Sequence, residues 1–295
     1  MDYFLQLVVS GIVTGGIYAL IAMGFVVIYK ATGVINFATG ELMMLGAFFA
    51  YTAMTVAHAP FVVALLVAAI GAAALGAVVE RVVLRPLLGQ RAISVIMVTI
   101  GLSSVFKGIA QLVWSGEYRN FPPVFPRAPV VLGSVILPSR QAYPFLMALV
   151  AILAVALLFR FTRTGIAMRA TASDQATAFG MGIDIRRVFS LSWSLAAVTA
   201  AVAGIVIGTI GGISPQLGAV GLRIFPVVIL GGLDSIGGAL IGGVVMGILE
   251  NLAGGYLDPL LEGGGVKEVA PFVALVVILM FRPYGLFGTR EIERL

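Results

Sequence analysis

Three ionisable residues inside apolar stretches carry most of the chemistry that this sequence offers. Glu41 lies in the run NFATGE, Lys107 lies within a long apolar stretch, and Asp234 lies in a glycine-rich break. A charged side chain in hydrocarbon is costly, so such residues commonly pair with a neighbour or line a water-filled path through a membrane. We therefore take Asn36, Glu41 and Asp234 as candidates for the lining of a solute path.

Each of these charges also has a second interpretation. Glu41 is equally well explained by hydration near the start of its apolar stretch or by pairing with Lys30. Asp234 is better placed to cap the helix that returns from the break than to contact a substrate. For Lys107, the favoured interpretation is that its ammonium group extends towards the membrane surface.

The motifs of catalysis are absent from the sequence. It contains no GxSxG, no HExxH and no P-loop signature GxxxxGK[ST], and its only histidine, His58, lies in a turn. The lack of cysteine excludes disulfides, thiol catalysis and thiolate metal sites. A paired acidic relay of the kind expected in a proton-coupled carrier is also missing. These absences argue against an enzyme and against ATP binding by this chain, and no cofactor or metal is expected.

The longest hydrophilic helical pattern is the segment 160–187, which contains five arginines. Arginines between apolar stretches mark the cytoplasmic face of a membrane protein. Thr171, with Asp174 three residues later, predicts a helix start, with the carboxylate near the positive end of the helix. One face and the stop of this short helix are formed by Ala172, Ala176, Phe179, Gly180 and Gly182. The segment is either an ordinary basic loop or a docking handle for a soluble partner.

Composition identifies the class of protein. Of 295 residues, 60% are hydrophobic and only 11% are charged, and the mean hydropathy is +1.11. A soluble domain of this size needs more charge to cover its surface, so the sequence predicts a single polytopic membrane domain over 1–295. The net charge of +5 comes from arginines between spans, which excludes a nucleic-acid partner. Met1-Asp2-Tyr3 lacks a basic start, so the first stretch is a membrane helix rather than a signal peptide.

Seven apolar stretches are long enough, or nearly long enough, to cross a bilayer as helices. They are 4–28, 36–56, 61–84, 92–114, 143–159, 188–210 and 269–281. Between the fourth and fifth lies a loop, 115–141, with five prolines, which predicts an ordered outer surface loop rather than a helix. Placing the basic loops inside puts the N-terminus outside and the C-terminus in the cytoplasm.

The region 218–252 decides the number of spans. Both of its ends must lie outside, so it either re-enters the membrane or crosses it twice. Its pattern predicts a short helix, a break at 231–235 and a glycine-rich return, which gives eight or nine spans in all. Glycines four residues apart predict close packing between helices here, and these are Gly204, Gly208, Gly212, Gly238, Gly242, Gly243 and Gly247.

The sequence resembles the permease subunits of bacterial ABC importers for branched-chain amino acids, of the LivH type. Four regions carry the resemblance, namely 11–48 with its NFATGE run, 165–208, 229–250 with ILGGLDSIGGALIGG, and 281–288 with FRPYGLFG. Together they cover somewhat more than a third of the chain and are spread along its length. NFATGE and RPYGLFG are the more specific motifs, and the glycine stripes are weak.

The resemblance implies a function and a set of partners. Segment 160–187 would be the cytoplasmic coupling loop that docks on an ATPase subunit, at positions matching Gly165, Arg169, Ala170, Asp174, Ala178, Gly182 and Ile183. The family works with a second related permease, two ATP-binding subunits and a periplasmic or surface binding protein, in the bacterial cytoplasmic membrane. The chain itself would conduct leucine, isoleucine or valine inward, without being a catalyst.

Two other functions remain open at this point. Related permeases serve urea, amides and other amino acids, so an importer with the same architecture and another substrate is the first. A stand-alone secondary carrier or channel is the second, and it predicts an inverted repeat with two equivalent broken helices. The sequence contains only one clear break, which favours the ATP-driven importer.

Overall fold

The computed structural model describes residues 2–87, 90–133, 135–260 and 264–288. Over these residues the chain is predominantly helical, which confirms the predicted all-α class. The helices are α1 (Asp2–Thr32), α2 (Thr39–Thr55), α3 (Phe61–Val79), α4 (Ala92–Trp114), α5 (Ser139–Phe161), α6 (Arg163–Ser173), α7 (Gln175–Gly180), α8 (Ile185–Gly211), α9 (Leu217–Arg223), α10 (Phe225–Gly231), α11 (Ile236–Tyr256) and α12 (Val266–Phe281). A π-helical turn, Glu80–Leu84, and a 3-10 turn, Arg85–Leu87, extend α3. A second 3-10 turn, Asp258–Leu260, follows α11.

The centre of the bundle is formed by α1, α2 and α8. The side chains of α1 from Ala19 to Ile28 are almost completely buried, as are Met43 and Phe48 of α2 and Ile205 of α8. A helix that is apolar on every side is stable only when protein or lipid surrounds it, and α1 has this pattern. The flanking helices α3, α4, α5 and α12 expose apolar side chains outward, as expected for a membrane bundle.

Glycines let α1 and α11 approach each other closely. A Cβ built on Gly243 of α11 would lie 2.5 Å from the carbonyl oxygen of Gly15, and a Cβ on Gly11 would lie 2.6 Å from the Cα of Ile248. Gly204 of α8 packs in the same way on the backbone of Met43. The predicted close packing along these glycine stripes is confirmed.

The region 217–256 contains the predicted break and a second one. α10 ends at Gly231, Gly232 has a φ of +100°, and α11 begins after Ser235. The second break, between α9 and α10, was not predicted, although Pro226 at the second position of α10 is a signal for a helix start there. The part of this region that precedes α11 therefore consists of two short helices in series, α9 and α10.

Six of the described helices, those in α1, α3, α4, α5, α8 and α11, are long and apolar enough to cross a membrane. Beyond them, α2 has 17 residues, α12 has 16, and α9 with α10 forms a shorter apolar unit, Leu217–Gly231. Nine spans require all three shorter units to cross, and eight require two of them. The count of eight or nine remains a prediction.

The proline-rich loop has order of its own, as predicted. Its later part contains the antiparallel strands β1 (Val130–Leu132) and β2 (Val135–Leu137). The side chain of Gln6 on α1 exchanges two hydrogen bonds with the backbone of Ile136, of 2.9 and 3.0 Å. Arg119 pairs with Ile213 beyond the end of α8 through backbone hydrogen bonds. The loop is thus attached to the bundle at two separate helix ends.

Candidate functional site

The candidate docking segment is built from α6 and α7, which lie across the ends of the bundle helices. Thr162 caps α6, because its hydroxyl accepts a 3.0 Å hydrogen bond from the backbone N–H of Gly165. Gly165 itself packs on α5, where an added Cβ would lie 2.6 Å from the Cα of Phe159. Met168 is 1% exposed and holds the underside of α6 in the core. The segment therefore has a fixed position relative to the membrane helices.

Asp174 caps α7 and connects it to α6. Its carboxylate accepts hydrogen bonds from the backbone N–H groups of Ala176 and Thr177, at 2.8 and 3.1 Å, and from the Thr177 hydroxyl at 2.8 Å. These bonds, first those from Thr177 and then that from Ala176, lower the pKa of the Asp174 carboxyl below its ordinary value of 3.8. The carboxylate is therefore ionised in the cytoplasmic pH range and completes the helix cap.

The prediction of one helix beginning at Thr171 is wrong. Thr171 lies inside α6, and the new helix starts after Asp174, whose extended backbone separates α6 from α7. Thr162 and Asp174 each cap a helix, so the segment forms two helices and not the single helix that its apolar pattern predicts. Ala172 consequently belongs to α6, on a different helix from Ala176 and Phe179. The predicted stop is confirmed, since α7 ends at Gly180 and Gly182 has a φ of +83°.

The seven predicted coupling residues divide according to their exposure. Arg169, Asp174 and Gly182 are exposed, and Ala170 and Ile183 are half-buried. Gly165 and Ala178 are buried, so they hold the segment in place rather than present it to a partner. All seven belong to the segment that contains α6 and α7, and their contact with a partner remains a prediction.

Exposed apolar side chains on this segment are the strongest sign of a docking function. Phe179 is 71% exposed and Met181 is 80% exposed, in the middle of an otherwise polar stretch, and Ile166 on α6 is also exposed. Large apolar side chains surrounded by polar residues mark protein contact surfaces. Met181 and Ile166 were missed, and the available signal was their hydrophobicity within a hydrophilic segment. We define the docking surface as Arg169, Asp174, Phe179, Met181 and Gly182.

A cavity of about 890 Å³ lies between this segment and the ends of α1 and α10. Arg169 and Asp174 line one side, and Lys30 and Asp234 line the other. The Lys30 ammonium donates a 3.1 Å hydrogen bond to the backbone oxygen of Asp234, which ties α1 to the turn between α10 and α11. A cavity bordered by charges of both signs suits water or a polar group better than an apolar ligand.

The predicted path residues lie in two places. Asn36 and Glu41 lie in the core, 1% and 7% exposed, at the start of α2. The Asn36 side-chain oxygen accepts a 3.0 Å hydrogen bond from the backbone N–H of Ala38, whereas its buried amide nitrogen has no hydrogen-bond partner among the described residues. Glu41 lies against α9, where a Cβ on Gly218 would be 2.9 Å from its Oε1. Asp234 lies apart, at the 890 Å³ cavity beside α6.

Two specific expectations for these charges are wrong. Glu41 and Lys30, both described, form no ion pair, because the Lys30 ammonium contacts the backbone of Asp234 instead. Asp234 does not cap α11. Ser235, the next residue, takes that role by accepting a 3.0 Å hydrogen bond from the backbone of Gly238. A serine hydroxyl caps a helix as well as a carboxylate does, and Ser235 is the residue with extended backbone immediately before α11.

Comparison with known proteins agrees with this architecture. Residues 7–281 match the model of a family described as "Branched-chain amino acid transport system / permease component". The chain is 33% identical to the high-affinity branched-chain amino acid transport system permease protein LivH of Escherichia coli K12, over 99% of this chain and 98% of the relative. It is 31% identical to BraD of Pseudomonas aeruginosa over the same shares, and 28% identical to the probable LivH of Methanocaldococcus jannaschii over 97% and 94%.

Among solved structures, PsaBC from Streptococcus pneumoniae in complex with Fab is similar over 95% of this chain and 92% of that one, with 12% identity. Its TM-score of 0.49 is too low to carry an argument. The match to the family model and the near full-length relatives are sufficient on their own. They show that the chain belongs to the family of permease components of branched-chain amino acid transport systems.

Proposed function

We propose that this chain is the permease subunit of an ATP-driven importer that carries leucine, isoleucine and valine into the cytoplasm. The observation that carries the substrate class is the similarity, over nearly the whole chain, to relatives named as branched-chain amino acid permeases in two bacteria. A stand-alone carrier is disfavoured, since the breaks that the described residues show at Ile224 and Gly232 lie together in the region 217–256 and not in two equivalent halves of the chain.

Energy comes from partner subunits in this proposal. The chain has no P-loop signature, whereas its α6–α7 segment exposes Phe179 and Met181 at the cytoplasmic end of the bundle. Each of two ATP-binding subunits would dock on such a surface, one on this permease and one on a second, related permease. Arg169 and Asp174 flank the apolar pair and supply polar contacts around it. A substrate-binding protein would deliver its ligand at the other end, around the loop 115–141.

The orientation supports this assignment of ends. Lys30, Arg85 and the arginines of 160–187 belong to one end of the bundle, where Arg85 and Gln175 line one small cavity. Positive residues concentrate in cytoplasmic loops, so this end would face the cytoplasm and the N-terminus of α1 would lie outside. The membrane is the cytoplasmic membrane of a bacterial cell in this proposal.

Uptake measurements test the substrate. Cells with and without the gene are given labelled leucine, isoleucine, valine and urea, under conditions in which ATP synthesis is intact or blocked. We expect ATP-dependent uptake of the three amino acids to be lost with the gene, and urea uptake to be unchanged. Loss of urea uptake alone would refute the substrate and keep the architecture. Transport by the purified chain alone in liposomes would refute the need for ATPase partners.

Copurification tests the docking surface. The double change Phe179→Ser and Met181→Ser removes the exposed apolar pair without touching a buried residue. We expect the tagged permease to insert normally but to lose most of its bound ATPase. The matched control is Val56→Ser with Val131→Ser, two residues that are 74% and 60% exposed at the opposite end of the bundle. Equal ATPase recovery in both variants would show that the surface is not used.

A further inference from the structure

Four charged residues meet on one flank of the bundle, near the outer ends of the helices. Arg223 of α9 forms an ion pair with Glu268 of α12, with Nη1 and Oε1 3.7 Å apart. Lys267 of α12 forms another with Glu250 of α11, at 3.9 Å between Nζ and Oε1. We call these four residues the outer charge cluster. Their formal charges cancel.

The exposure of the cluster is unusual for its position. The side chains of Arg223 and Glu268 are 68% and 73% exposed. Glu250 lies six residues before the end of α11 at Tyr256, which at about 1.5 Å per residue is roughly 9 Å below that helix end. Arg223 belongs to α9, whose Gly218 and Gly221 pack against the buried start of α2. Arg223 is thus exposed although its helix contacts the centre of the bundle, and a charge in such a position is rarely turned towards lipid.

The other outward flanks have a different character. Ile70 of α3 and Val150 of α5 are 69% and 60% exposed, and both helices expose further apolar side chains. These faces fit lipid or an apolar subunit contact. The flank of α9, α11 and α12 instead combines its ion pairs with exposed apolar residues, including Leu222 and Val269.

We propose that the outer charge cluster lines a water-filled approach to the translocation path and contacts the charged groups of an α-amino acid with an apolar side chain. The cations Arg223 and Lys267 would face the substrate carboxylate, and Glu268 would face its ammonium group. The proposal rests on the proposed function for its substrate. The ion pairs are long, at 3.7 and 3.9 Å, and the side chains of Arg223, Glu268 and Lys267 are 68%, 73% and 46% exposed, so a zwitterion can exchange with these three groups without leaving a charge unpaired.

The position of the cluster also connects it to the core residues predicted for the path. Arg223 is the last residue of α9, and Gly218 on the same helix rests on Glu41. The Glu250 carboxylate interacts with the Tyr18 hydroxyl of α1 as well as with Lys267. A ligand that draws Arg223 or Glu250 from its present partner would thus act on helices that hold the centre of the bundle.

Cysteine labelling tests the proposal, because the chain has no native cysteine. Single variants Arg223→Cys and Glu268→Cys are placed in the complete importer and treated with membrane-impermeant thiosulfonates. Val150→Cys and Ile70→Cys are the matched controls on apolar flanks. The cysteine thiolate attacks the thiosulfonate sulfur and releases sulfinate, and the thiolate forms in water but not in hydrocarbon, so we expect the two cluster variants to react at least about tenfold faster than the controls. Labelling at the control rate would overturn the water-filled approach.

Protection by substrate tests the second half of the proposal. Leucine-loaded binding protein with ATP is expected to slow labelling at both cluster positions, whereas binding protein without leucine is not. Fast labelling that leucine leaves unchanged would overturn the substrate contact. Uptake kinetics of the variant Arg223→Lys give a test that does not depend on cysteine. The change should raise the KM for leucine more than it lowers the maximal rate, and an unchanged KM would count against the contact. Failure of the proposed function would appear separately, as absence of leucine uptake by the wild-type importer.

Discussion

The contact between α1 and α11 makes a quantitative prediction about stability. Gly243 of α11 has no room for a side chain, since an added Cβ would lie 2.5 Å from the carbonyl oxygen of Gly15 and 2.8 Å from the Cβ of Ala19. Real Cβ atoms essentially never approach closer than 3.0 Å, so Gly243→Ala forces the helices apart by at least 3.0 minus 2.5, or about 0.5 Å. A close-packed interior absorbs such a shift only at a cost.

The magnitude follows from two opposing effects. Overpacking a well-packed contact costs about 1–3 kcal/mol, whereas alanine is favoured over glycine inside a helix by about 1 kcal/mol. Gly101 of α4 provides the control, because a Cβ there would meet nothing within 4 Å. Both changes gain the same helix propensity from alanine, so this contribution cancels in the difference between their free energies of unfolding. Gly243→Ala should therefore be less stable than Gly101→Ala by about 1–3 kcal/mol.

The free energy of unfolding of the detergent-purified subunit is measured by titration with sodium dodecyl sulfate in mixed micelles, followed by circular dichroism. We expect Gly101→Ala to be equal to the wild type or slightly more stable, and Gly243→Ala to unfold at a lower mole fraction of dodecyl sulfate. Equal midpoints for the two variants would refute the close approach of α1 and α11, and with it the fixed frame on which the site depends.

Three further predictions concern the polar contacts. Lowering the pH below 3.8 should remove the hydrogen-exchange protection of the α7 backbone. The folded-state pKa of Asp174 lies below its unfolded-state value, so the cap is fully present above the unfolded-state pKa and is lost as the pH falls through the folded-state pKa. Asp174→Asn should show no such loss of protection. Gly218→Ala should reduce leucine uptake with normal ATPase copurification, because its Cβ would press on the Glu41 carboxylate, and unchanged uptake would argue against it. Glu80→Gln should lower the melting temperature, since the 2% exposed Glu80 carboxylate accepts bonds of 2.9 and 3.1 Å from Arg85; an unchanged value would show that the pair adds nothing.

Much of the architecture could be predicted from local pattern. Apolar runs of about 20 residues predicted the long helices, because a membrane span must be apolar along its length. The break at 231–235 was readable because glycines interrupt the apolar run there. The end of α7 was readable from Gly180 and Gly182 for the same reason. These features depend on the residues in place and not on distant contacts.

What could not be predicted depends on competition between neighbours. Asp234 and Ser235 are both good capping residues, and only the backbone geometry decides that Ser235 caps α11. Glu41 was as plausible a partner for Lys30 as for water, but the fold directs Lys30 to the oxygen of Asp234 instead. The outer charge cluster joins residues from three helices that are far apart in sequence, so no local pattern contains it.

The arrangement of rigid and broken helices indicates where coupling between the two ends of the molecule has to act. α6 packs on α1, and α1 contacts α11 through glycines at which an added Cβ would not fit. Lys30 adds a direct hydrogen bond from α1 to Asp234 at the α10–α11 turn, so a partner that pushes on α6 displaces these elements together. Coupling requires an element with two arrangements, and a tightly interlocked unit does not supply one.

The backbone breaks at Ile224 and Gly232 isolate α10 from the helices on either side. Arg223 lies immediately before the first break, and a change in the tilt of α9 against α10 would therefore move its charge relative to Glu268 and Glu250.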